Sequence, residues 1–221
     1  TKVDPITHLN RLDMPYRSVC NAVMTANTTR TRDTILRAAF SEIHRNGYQA
    51  ASLANIVATT GLTKGALYHH FRAKHALGLA VIDEVVTRDL ESSVFRPLRE
   101  SDEPLATLLS IIDTKKKAAT KASVTLGCPL NNLMNEMSAL DPQFNARLDA
   151  TMSAWRRSVA GALALAKKQR KLKSAVDCEA AALFIVSAWE GCVTLAKSRR
   201  SVTTYRKCMN ELQRYIAMLS R

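Results

Sequence analysis

Apolar residues recur at helical spacing along almost the whole chain from residue 31 onward. The first strong run covers 31–46, where Ile35, Leu36, Ala39, Phe40 and Ile43 share one face and Gly47 follows as a left-handed terminator. A short second helix is expected from Ser52, a suitable N-cap, burying Leu53, Ile56 and Val57 before Gly61 breaks it. Thr63 then caps a third short helix over 64–70. A long fourth helix is expected over 74–95, carried by Leu77, Val81 and Val85 and a neighbouring stripe of Ile82 and Val86. Further starts stand at 102–104, leading to a helix that runs to 123, at Cys128-Pro129 and at Asp141-Pro142, because proline suits the first helical position. The helix after Pro142 carries Phe144, Leu148, Met152, Trp155, Val159 and Ala166 and ends in a basic run, 167–173. Two helices, 178–197 and 203–219, close the chain. Residues 1–29 show no sustained periodicity and read as a flexible N-terminal extension. Met24 is an alternative start within it, and Arg11 and Arg17 are the basic residues it would offer to DNA.

The pattern gives an all-α fold, and composition agrees: alanine, leucine, lysine, arginine and methionine are plentiful, while glycine (7) and proline (6) are scarce. The formal net charge of +13 changes the picture more, because it suggests an acidic polymer, usually nucleic acid, as partner. The cysteines, at 20, 128, 178, 192 and 208, lie far apart, with neither a Cys-x-x-Cys pair nor zinc-site spacing. A reduced, cytoplasmic protein without metal or other cofactor is expected. No uninterrupted apolar run approaches the ~20 residues of a membrane span. No nucleophile, phosphate loop or metal cluster marks an enzyme.

Residues 52–70 read as a helix, a sharp glycine turn and a second helix, the spacing of a helix-turn-helix. Gly61 permits the left-handed turn, Leu62 plugs the angle between the helices, and Lys64, Gly65 and Ala66 keep the leading edge slim enough to approach base edges. The run Gly47-Tyr48, Ser52, Ile56, then Gly61-Leu62-Thr63-Lys64-Gly65-Ala66-Leu67-Tyr68-His69-His70-Phe71, then Lys74 and Leu77 resembles the DNA-binding domain of the tetracycline-repressor (TetR) family. The resemblance implies that Thr63, Lys64, Gly65, Ala66, Tyr68 and His69 face a double-stranded operator, with Ser52 beside them and Lys74 on a phosphate. Phe71 and His70 are expected to pack inside. Val57 and Thr60 stand where the family prefers alanine, and Ala66 where threonine is frequent; these departures bear on operator sequence. Residues 30–75 hold seven Lys/Arg and two Asp/Glu, a net +5. They form the expected DNA-binding domain, and 76–221 the expected effector-binding and dimerisation domain. A helical adaptor that binds protein instead of operator DNA is the alternative.

The helix over 178–197 is apolar nearly all round, so one side faces its own core and the other a partner helix, with Ala180, Ser187 and Gly191 allowing close approach. The last helix offers Met209, Leu212, Ile216 and Leu219 as a second stripe, and two such pairs would make a four-helix homodimer interface. A small-molecule effector is expected among the helices from 75 to 195, with Met134, Met137, Trp155 and Phe184 as apolar lining and Asn131 or Asn132 as polar handles. Cys128 is the candidate sensor. It sits at a helix start after a lysine-rich stretch (115, 116, 117, 121), and both features favour a thiolate. The segment Gly127-Cys128-Pro129-Leu130 resembles one in TetR-family members, among which electrophile or oxidant sensors occur. The run 115–117 otherwise reads as a solvated helix face.

Overall fold

In a computed structural model that describes the backbone of residues 16–221 and the side chains of 28–221, every extended element is a helix. The first, α1, is Tyr16–Asn46. It begins fifteen residues ahead of the expected start at 31, which corrects the extension from Tyr16 onward. The stretch Tyr16–Asn46 contains neither glycine nor proline, and a helix nucleated by the packed half propagates at little cost. The candidate arm residue Arg11 lies outside the described residues, and Arg17, Cys20 and Met24 lie outside the described side chains.

Ile35, Leu36, Ala39 and Ile43 are buried along α1, which ends at Gly47 with φ +84°. α2, Leu53–Thr60, is capped by the Ser52 hydroxyl and stops at Gly61, φ +67°. α3, Lys64–His70, is capped by Thr63, whose hydroxyl accepts the Ala66 N–H at 3.1 Å. Ile56, Leu67 and Phe71 close the small core that α2 and α3 share with α1.

The long helix α4 runs from Lys74–Val81 through Ile82–Val86, Thr87–Leu90 and Glu91–Phe95 to Arg96–Glu100. Two of these stretches, Ile82–Val86 and Glu91–Phe95, are π-helical turns. The helix passes the expected end at Phe95 because the second wide turn, in which the Arg96 N–H reaches Glu91 C=O, absorbs the proline at 97 that would break a regular helix. α5 is Pro104–Ala118 and α6 is Lys121–Leu126. They were expected as one helix to 123, but Ala119 is extended and Thr120 starts a new helix through a reciprocal capping box with Ser123. α7 is Pro129–Met137, and α8, Pro142–Lys168, is capped by Asp141. α9 is Cys178–Arg199 and α10 is Val202–Met218, capped by Asp177 and Ser201.

The core of the second domain lies where α8, α9 and α10 pack side by side, around Trp155, Leu163, Ile185, Trp189, Met209 and Ile216. The first three helices are tied to it at several points. The Arg32 guanidinium makes a two-pronged ion pair with Glu84 of α4. Glu136 of α7 accepts the N–H groups of Tyr48 and Gln49, both at 2.8 Å. His44 Nε2 lies 3.0 Å from the Gly127 carbonyl, and His75 Nε2 lies 2.9 Å from Asp141. Gly78 of α4 sits so close to this joint that a Cβ would come within 2.5 Å of the Tyr48 ring and 2.7 Å of Phe144.

Candidate DNA-binding face and effector cavity

α3 projects from the small domain with Lys64, Gly65, Tyr68 and His69 exposed and Ala66 half-buried. Tyr68 is 49% exposed, unusual for a large aromatic ring on a capped helix, while Leu67 and Phe71 on the opposite side are core. His70 is half-buried, as expected for a packing role. Thr63 is exposed and spends its hydroxyl on the cap. Ser52 is half-buried and caps α2, accepting from the Asn55 N–H at 3.4 Å. Lys74 starts α4 with its Nζ donating to Gln49 C=O at 2.9 Å and lying 5.1 Å from the Tyr48 ring centre. Thus Ser52, Thr63, Lys64, Gly65, Ala66, Tyr68, His69 and Lys74 all belong to the turn-and-helix unit or its immediate continuation. Of the nearby carboxylates, Glu42 turns inward to the Ser52 N–H and the Asn55 amide.

In the second domain a cavity of about 300 Å³ is lined by α4, α5, α6, α7, α8, α9 and α10. Val86 and Leu90 of α4, Trp155 of α8, Trp189 and Glu190 of α9, and Tyr205 of α10 form its walls. Trp155 and Trp189 meet edge to face, ring centres 5.4 Å apart. Glu190 is 7% exposed, and neither carboxylate oxygen has a hydrogen-bond partner. Burial pushes its carboxyl up to about 7; the Cys128 thiol opposes this slightly without reaching hydrogen-bond geometry. Burial, then the neighbouring acidic groups, pushes the Tyr205 hydroxyl up to about 12.

Of the expected effector residues, Cys128 and Trp155 line this cavity. Asn131 lies outside it, bonded to Thr194 at 2.9 Å. Met137 is buried in the core and Met134 packs against it. Phe184 is 51% exposed and rests on Tyr215, ring centres 4.6 Å apart. None of these four lines this cavity; Met134 and Met137 lie further along the α7 face that begins with the lining residue Leu130. Asn131 and Asn132 both border a larger recess between α1, α7 and α9, where Lys197 and Glu136 are already satisfied by neighbours. The expected thiolate at Cys128 is also corrected. Burial and the facing Glu190 push the thiol well up, while Lys116 and Lys117 turn to Asn210 and Asp113. Glu190, Trp189 and Tyr205 were not anticipated. The available signal was a single charged residue, Glu190, inside the apolar stretch 180–196.

α9 leaves a second stripe uncovered: Ala180, Leu183, Phe184, Ser187, Gly191 and Leu195 are all exposed, with open space beside Gly191. Met218 of α10 is exposed as well, at 64%. The expected stripe on the last helix is different, because Met209, Leu212 and Ile216 are consumed in the protomer's own core. α9 has the length and apolarity of a membrane span, which the dispersed pattern did not suggest; 39% of that window is buried in the fold.

Residues 35–81 match the family profile described as bacterial regulatory proteins, tetR family, and residues 104–212 match the tetracyclin repressor-like C-terminal domain. The transcriptional regulator AcuR of Cereibacter sphaeroides is 30% identical over 166 residues, covering 74% of each chain. An uncharacterised HTH-type transcriptional regulator of Lactococcus lactis is 31% identical over 134 residues, covering 61% of this chain and 68% of its own. A solved regulatory protein TetR from Rhodobacter sphaeroides superposes with a TM-score of 0.74 at 25% identity, covering 83% of this chain and 97% of that one. A TetR transcriptional regulator from Chloroflexus aurantiacus shares the fold, with a TM-score of 0.77 at 24% identity over 89% of this chain and 98% of its own.

Proposed function

The chain belongs to the TetR family of bacterial transcriptional regulators, and from that premise we propose that it is a homodimeric repressor released from a palindromic operator by a noncovalent small-molecule effector. The observation that carries this reading is α3: a capped, projecting helix whose exposed side is Lys64, Gly65, Tyr68 and His69, within a segment of net +5. Such a helix enters the major groove by its N-terminal end, where Lys64 reads a base edge and Lys74 neutralises a phosphate. Residues 30–75 act as the DNA-binding domain and 76–221 as the effector and dimer domain, in the cytoplasm.

The exposed stripe of α9 is the surface that a second copy covers, since Leu183, Phe184 and Leu195 would otherwise stand together in water. Two routes lead from the cavity to α3. Val86, the last residue of the first π turn, and Leu90, just ahead of the second, line the cavity where a helix yields most easily, and the same helix carries Lys74. The cavity residue Gly127 holds His44 of α1 through its carbonyl. An effector that binds one arrangement of α4 more tightly shifts the population of dimers toward a half-site spacing that does not fit the operator. Sequencing the genomic fragments that the purified protein retains tests the reading. Enrichment of a palindrome is the expected result, and retention without common sequence contradicts it.

A further inference from the structure

A buried carboxylate ordinarily pairs with a cation or accepts several hydrogen bonds, because the alternative is a large desolvation cost. Glu190 does neither. It is 7% exposed, both oxygens lack a partner, and it borders a cavity of about 300 Å³. The charged groups that share the cavity do not serve as its counterion. Lys115 points to the Ser93 hydroxyl at 3.4 Å, and Asp89 is exposed. Of the titratable groups that face it, Cys128 and Tyr205 are neutral acids held up by burial. On its other side Glu190 borders a recess with Asp149 and Arg156, but the Arg156 guanidinium is paired with Glu179 at 2.5 Å. The missing partner must therefore come from outside the chain.

The walls say what carries it. Trp155, Trp189 and Tyr205 offer aromatic surface, which attracts a cation through the ring quadrupole and an apolar body through burial. An anion would meet the Glu190 carboxylate in a low-dielectric site, and a purely apolar molecule would leave it unpartnered. Trp155 Nε1 is also buried without a partner, so it offers a donor to an acceptor atom on the same molecule. The space accommodates a guest of one ring and a short chain.

We propose that the effector of this protein is a small lipophilic amine, bound as its ammonium ion against Glu190 with its apolar body on Trp155 and Trp189. This rests on the reading of the cavity as the effector site. The ion pair forms inside the cavity and exists only when the guest is bound, so the site discriminates by charge more than by shape.

The test uses three probes of similar size and different charge: 2-phenylethylamine, 2-phenylethanol and 3-phenylpropanoate. Trp155 and Trp189 are the two tryptophans of the chain, so intrinsic fluorescence of the full-length protein reports occupancy directly. At pH 8 the amine is expected to bind saturably, about tenfold or more tighter than the alcohol, with no saturable binding of the carboxylate. Glu190→Gln should weaken amine binding about tenfold or more and leave the alcohol within about threefold. Amine affinity should fall about tenfold from pH 8 to pH 6, as Glu190 in the free protein takes up its proton at about 7. That arm uses the unaltered protein and stands even if the variant fails to fold. Alcohol or carboxylate binding as tight as the amine, an unchanged amine affinity in Glu190→Gln, or no saturable quenching by any probe overturns the proposal. Release of a retained genomic fragment is read in parallel. Amine binding without release supports the ligand class and overturns the effector reading of the cavity. Release by the alcohol or carboxylate alone overturns the ligand class and leaves that reading standing.

Discussion

Replacing Glu190 with glutamine should change how the stability of the ligand-free protein depends on pH. The folded carboxyl titrates at about 7 against 4.5 for an ordinary glutamate, so between these values the folded state holds a proton that the unfolded chain has released. Stability therefore falls as pH rises through this window, by about 1.4 kcal/mol per pH step, and levels off above about 7. The whole effect is about 3 kcal/mol, which for a chain of this size corresponds to roughly 6–12 °C in Tm. Glutamine keeps the shape and a buried polar group, so its own cost is independent of pH and cancels when the two proteins are compared across pH. The Cys128 thiol stays protonated throughout and adds nothing to the difference. The assay is a pair of thermal or urea unfolding series from pH 4.5 to pH 8, with wild type losing stability relative to Glu190→Gln. A difference between the two proteins that stays flat with pH would refute a desolvated, unpartnered carboxylate at this site.

Other substitutions test the joint, the interface and the DNA face. Gly78→Ala should destabilise by about 1–3 kcal/mol despite the better helix propensity of alanine, because its Cβ meets the Tyr48 ring at 2.5 Å; Gly161→Ala, with nothing within 4 Å, should gain about 0.5–1 kcal/mol in the same melt. Phe184→Asp should convert the dimer to monomer in analytical ultracentrifugation while leaving the helical spectrum intact, and an unchanged sedimentation coefficient would remove α9 from the interface. Lys74→Ala should weaken binding to operator and random DNA alike and flatten the salt slope by about one unit. Lys64→Ala should instead cost on the order of 1–3 kcal/mol on operator alone if it reads a guanine.

The DNA-binding unit was legible in the sequence because every signal there is local. Ser52, Gly61 and Thr63 cap or break helices within a few residues of themselves, and the structure uses each in that way. The same holds at Cys128-Pro129 and Asp141-Pro142. Errors arose where tertiary packing overrides a local sign. The expected end of the fourth helix stands at Phe95, yet the π turn over Glu91–Phe95 carries the helix on through Pro97. The cavity was harder still, since periodicity reports that a residue is buried but not against what. Met137 and Trp155 look alike in sequence; one is plain core and the other lines the cavity. The Cys128 thiol looked activated because helix start and lysines are visible in sequence, whereas Glu190, sixty-two positions away, is brought to it only by the fold.

DNA footprinting with the full-length protein on a retained genomic fragment tests the central claim most directly. The account predicts protection of a two-fold symmetric site, with half-sites about one helical turn apart, that opens when the effector is added and is absent for Phe184→Asp at the same concentration. A single asymmetric footprint bound by one protomer, or protection that persists with the cavity filled, would contradict it.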